Sequence, residues 1–173
     1  PIYAANETVT MKVGEKVEHI PAYMFYCEDH GGNSAQNIYL ENVTFLGNEV
    51  DIIGEYAFAR CDNLTSVDAS YTDELDISSY AFYDCRKLVE FFPPDNISNV
   101  GRCAFAGCEN LTELHLRNVV GSIGTGAFEG GLLSIKIDSI GGDIKSSAFW
   151  KKIKEVRIGA IAGNIDSRAF DYC

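Results

Sequence analysis

The chain has 173 residues, 46% of them hydrophobic and 23% charged, enough apolar material for one domain with its own core. Its formal net charge is −11 and its pI is near 4.6, which argues against a nucleic-acid partner and against attraction to anionic lipid, since both need clustered positive charge. No apolar run approaches the roughly 20 residues that carry a helix across a bilayer, so no transmembrane segment is expected. The first residues, Pro1 to Asn6, read either as the trailing end of a cleaved signal peptide or as a cloning remnant. They form a tail over residues 1–7, ahead of a single repeat domain over residues 8–173.

Two ladders run through that domain. The pattern [IV]-x-x-x-[AM]-F occurs seven times, ending at Phe25, Phe58, Phe82, Phe105, Phe128, Phe149 and Phe170. Successive spacings are 33, 24, 23, 23, 21 and 21 residues. The second ladder is a short alternating segment. It opens as Met11-x-Val13 and continues through Leu40-x-x-Val43-x-Phe45, Leu64-x-x-Val67-x-Ala69, Leu88-x-x-Phe91, Leu111-x-x-Leu114-x-Leu116, Leu132-x-x-Ile135-x-Ile137 and Ile153-x-x-Val156-x-Ile158. Alternation over a few residues marks a half-buried strand.

From the first inward strand residue to the next ladder Ile or Val the count is nine or ten in every unit, so the strand side keeps its length. Apart from that single residue, the variation falls after the ladder Phe. Six residues of offset separate it from the next ladder Leu after Phe58, Phe82 and Phe105, fifteen after Phe25, and four separate Phe128 from Leu132 and Phe149 from Ile153. The extra nine lie within about residues 28–36 (EDHGGNSAQ), a composition proper to a loop. One unit cannot bury its apolar side chains alone, whereas stacked units make a continuous core. The spacing predicts an α/β repeat solenoid of about seven coils, roughly 30 Å long, with parallel strands on one face and a short helix or 3₁₀ turn at each A-F segment.

Segments such as IGEYAFARCDNLTSV (53–67) and VGRCAFAGCENLTEL (100–114) closely resemble BspA-like leucine-rich repeats. The resemblance runs from about Thr8 to Cys173. It implies a right-handed leucine-rich-repeat superhelix with a parallel sheet on the concave face and the turns on the convex side. It also implies a secreted or cell-surface protein used for adhesion or protein binding. The chain departs from the pattern in the 33-residue unit and in the two short units.

Catalytic motifs are missing. No G-x-S-x-G, H-E-x-x-H or phosphate-loop sequence occurs, and His19, His30 and His115 share no chelating spacing. Gly141-Gly142 falls at a strand-end turn of the repeat and needs no phosphate to explain it. Cys61, Cys85, Cys108 and Cys173 each follow a ladder Phe by three residues and Cys27 by two, and that slot vanishes in the two short units, leaving Gly131 and Lys152. The cysteines therefore read as thiols packed into the longer turn, with no metal and no cofactor implied. The sequons beginning at Asn6, Asn42, Asn63, Asn96 and Asn110 have meaning only in a eukaryotic source, and two of them belong to the repeated N-L-T.

The outward strand positions form the candidate site. One column reads Lys12, Thr44, Asp68, Phe92, His115, Lys136 and Arg157, and its neighbour reads Thr10, Asn42, Ser66, Glu90, Glu113, Ser134 and Glu155. Solenoids bind through such faces, and Phe and Arg are interface-anchoring types. The expectation is a non-enzymatic scaffold for a protein ligand such as a host or matrix protein. A glycan-binding module and a structural spacer are the alternatives. Cys173 falls in mid-unit, so end-to-end self-association is a further expectation.

Overall fold

The computed structural model describes residues 9–26 and 39–173. The tail at 1–7 and the inserted segment at 28–36 lie outside them. Eleven strands appear among the described residues: β1 Val9–Val13, β2 His19–Ile20, β3 Leu40–Phe45, β4 Ile52–Ile53, β5 Ser66–Asp68, β6 Glu74–Ile77, β7 Glu90–Phe92, β8 Asn96–Val100, β9 Glu113–Val119, β10 Ser134–Ile140 and β11 Glu155–Ile161. They form a four-stranded sheet, β1-β3-β5-β7, and a seven-stranded sheet, β11-β10-β9-β8-β6-β4-β2. Every pairing is parallel. In the earlier units a bend separates two short strands. From β9 onward the two merge into one seven-residue strand.

The Phe ladder forms the spine of the core. Rings Phe25, Phe58, Phe82, Phe105, Phe128, Phe149 and Phe170 stack at centroid distances of 5.1, 5.4, 5.1, 5.7, 5.6 and 5.2 Å, each pair within 12° of parallel. Phe91 stands edge-on to both Phe82 and Phe105. Around the spine lie fully buried Leu64, Leu75, Ile77, Leu88, Ile97 and Leu111.

Two expectations need correction. Among the described residues no helix forms, and the A-F segments are chains of turns. In the unit of Phe58, Ala57, Ala59 and Cys61 donate to Gly54, Tyr56 and Phe58, three residues back, while the intervening Tyr56, Phe58 and Arg60 donate to Ser79, Ala81 and Tyr83 of the next unit. A 3₁₀ helix would need every N–H to bond within its own segment; here every second one is spent between units. Left-handed residues enforce the alternation, with Tyr56 at φ 55° and Arg60 at φ 60°. The coil count is also lower. The solenoid has about 5 turns rather than seven. Among the described residues, the units opening at Leu40, Leu64, Leu88, Leu111 and Leu132 have a neighbour on both faces, whereas the first and last motif copies pair on one side only.

Candidate functional site

The outward column holds its register on either side of one seam. Lys12 pairs with Thr44, Thr44 with Asp68 and Asp68 with Phe92. Further on, His115 pairs with Lys136 and Lys136 with Arg157. Lys12, Phe92, His115, Lys136 and Arg157 are exposed, and Thr44 and Asp68 half-buried. Phe92 and His115 are not paired, because the first sheet ends at β7. The residues that follow, Pro93 and Pro94, lack the backbone N–H that would extend a ladder.

A groove of about 440 Å³ opens at that seam, lined by Phe91, Phe92, Pro93, Leu114, His115 and Lys136 among others. Phe92, 46% exposed, supplies an apolar wall. The groove's polar side is lined by Glu113, His115, Ser134 and Lys136, and beside it His115 and Lys136 meet at Asp138, a residue the outward column omits. Lys136 donates to the Asp138 carboxylate at 2.9 Å, and His115 Nε2 lies 3.3 Å from the same oxygen and 3.2 Å from Lys136 Nζ. That nitrogen serves one neighbour at a time, donating to the carboxylate or accepting from the ammonium. The Lys136 hydrogen bond, with that of His115, holds the Asp138 carboxyl below its ordinary range. The signal for Asp138 was present in the sequence: two residues beyond Lys136 on one strand shares its face. Arg157 is fixed in the same way, donating to Glu155 at 2.6 Å. Such exposed pairs contribute little to stability; they set where the charges sit.

The remaining candidates resolve as packing. Cys85, Cys103, Cys108 and Cys173 are free thiols, and Cys85 and Cys108 are buried. Burial pushes both of those thiols well above the usual range. Cys27 and His30 lie outside the described residues. Among the described residues no group of three or more His, Cys, Asp or Glu is placed to hold a metal ion, and no helix is long and apolar enough to cross a membrane. Gly141 lies against Val120, whose carbonyl oxygen a Cβ would meet at 2.1 Å, so close packing of the coils explains the glycine.

Stacked parallel coils with a Leu, Ile and Phe interior define a leucine-rich-repeat solenoid. The family model for the BspA type leucine rich repeat region matches in six copies, over residues 3–68 and 31–152, and the chain belongs to that family. Among solved structures it is similar to the leucine-rich-repeat protein TpLRR of T. pallidum, with a TM-score of 0.71 and 18% identity, over 91% of this chain and 73% of that one. It is also similar to the pneumococcal vaccine antigen PcpA, with a TM-score of 0.65 and 21% identity, over 90% of this chain but 40% of that one. At these identities the likeness is one of fold. A comparison with curated proteins gave no match.

Proposed function

We propose that the chain is a non-enzymatic scaffold of a secreted or cell-surface protein and binds a protein ligand along its strand face. The observation that carries this reading is the groove at the seam, where an exposed aromatic ring faces a lysine and a histidine tethered to one carboxylate. An apolar wall beside oriented charges is the composition of an interface anchor. Family membership supports the scaffold role, and the likeness to a vaccine antigen supports the surface location. The test is surface plasmon resonance of the immobilised protein against a panel of host matrix proteins. Binding should fall at least tenfold in Phe92→Ala and Lys136→Ala while the thermal midpoint stays within a degree or two. Silence across the panel, or binding untouched by both substitutions, would sink the reading.

A further inference from the structure

The turn side carries a second aromatic array with a gap in it. Two residues before the ladder Phe, successive units place Tyr23, Tyr56 and Tyr80, then Cys103, Gly126 and Ser147. All six adopt left-handed backbone, with φ of 59°, 55°, 60°, 51°, 65° and 56°, so each side chain leaves its turn in an equivalent direction. The three tyrosine rings stack face to face, at 5.0 Å and 16° and then at 4.6 Å and 3°. Tyr83 stands edge-on to the last of them at 5.7 Å.

Among the described residues no ring continues the stack past Tyr80. The thiol of Cys103 turns onward to the next unit, 3.8 Å from the Thr125 carbonyl oxygen, and Gly126 has no side chain. A cavity of about 650 Å³ opens there, lined by Tyr80, Tyr83, Cys103, Glu109, Glu129 and Lys151 among others, a size usual for small-molecule sites. Lys151 lies 4.2 Å over the Trp150 ring and 3.8 Å from Glu129, which holds its ammonium group at the wall.

We propose that this cavity is a saccharide-binding site, in which a hexopyranose ring stacks on Tyr80 where a fourth tyrosine would continue the array. The face of an aromatic ring is electron-rich, and the C–H bonds on one side of a pyranose present a weakly positive, flat surface to it. Pyranose hydroxyls radiate from the ring edge and need both donors and acceptors. Lys151 supplies the first, and Glu109 and Glu129 the second. An aromatic guest would find the same platform but would strip water from those charged groups without replacing it. The site lies on the turn side, away from the strand-face groove at Phe92, and does not depend on that groove binding anything.

The test is saturation-transfer difference NMR with the methyl glycosides of glucose, galactose, mannose and N-acetylglucosamine, and phenol as an aromatic control. At least one glycoside should show transfer to its ring C–H protons, reduced at least fivefold by Tyr80→Ala and abolished by Cys103→Tyr. The second variant fills the gap with the residue that three sister units carry on the same backbone, so its fold is retained. Phe92→Ala should leave the signal unchanged. No transfer to any glycoside, transfer to phenol alone, or glycoside transfer that survives Cys103→Tyr would each overturn the assignment.

Discussion

The thiol of Cys85 donates to the carbonyl oxygen of Phe58, 3.0 Å away and one unit earlier. The relation repeats along the solenoid: Cys61 reaches Phe25 at 3.3 Å, Cys108 reaches Phe82 at 3.1 Å and Cys173 reaches Phe149 at 2.9 Å. The Phe58 carbonyl also accepts the backbone N–H of Cys61, so one oxygen binds its own turn and the next. This slot ties units together without any covalent link. Cys85→Ala removes both the bond and the sulfur volume, and should cost about 1–2 kcal/mol in a urea melt.

Thiol reactivity should separate the cysteines. Cys85 and Cys108 are buried and held in the neutral form, and the thiolate is the reactive species. Labelling with an aromatic disulfide reagent at pH 8, followed by peptide mass mapping, should modify Cys103 and Cys173 first. Cys85 and Cys108 should react only after denaturant is added. Prompt labelling of Cys108 in the native protein would contradict its placement.

The same two groups fix an alkaline limit on stability. A thiol whose folded pKa is raised stays protonated when the unfolded chain has begun to lose its proton. The unfolded state then binds fewer protons, and stability falls as pH rises. The contribution of each thiol is intact below its ordinary pKa, near 9, and declines above it by about 1.4 kcal/mol per pH unit. Urea midpoints measured from pH 7 to 10.5 should bend downward above about pH 9. The bend should be shallower in Cys108→Ala.

Gly131 occupies the place of the cysteine in a shortened turn, and its backbone lies against the previous unit: a Cβ there would meet the Cys108 carbonyl oxygen at 1.9 Å. Nothing flexible can yield. Gly131→Ala should destabilise by about 2–3 kcal/mol. An equally stable variant would show that the short turn has room to spare.

The two faces of β7 should respond in opposite ways. Phe91 is buried edge-on between Phe82 and Phe105, whereas Phe92 projects into solvent. Phe91→Ala should cost about 3–5 kcal/mol and Phe92→Ala less than about 0.5 kcal/mol, measured by thermal unfolding. Reversal of that order would mean that the strand register is shifted by one residue.

Much of this arrangement could be read from the chain itself. The Phe spacing located every ring of the core stack. Strand alternation placed Lys12 through Phe92, and His115 through Arg157, in register. The regular slot after Phe marked the cysteines as packing groups. What stayed hidden was conformational. Tyr56, Arg60 and Asp84 sit in left-handed backbone, a state that Tyr and Arg seldom adopt and do not advertise, so the turns read as helix. The groove at Phe92 depends on a pairing that fails between β7 and β9, and a column drawn from sequence runs straight across that gap. Cys103 stands two residues before its ladder Phe, as Tyr23, Tyr56 and Tyr80 do before theirs. The stacking of Tyr23, Tyr56 and Tyr80, which turns the missing ring into a cavity, required three dimensions.

The alternation of N–H groups on the turn side has a mechanical meaning. The bonds between units lie along the long axis on the turn side as they do within the sheets, so tension on the two ends pulls neighbouring coils apart one interface at a time. Such a chain lengthens in discrete steps, each releasing one repeat and adding about 70–80 Å of contour, and it re-forms by restacking against the coil that remains.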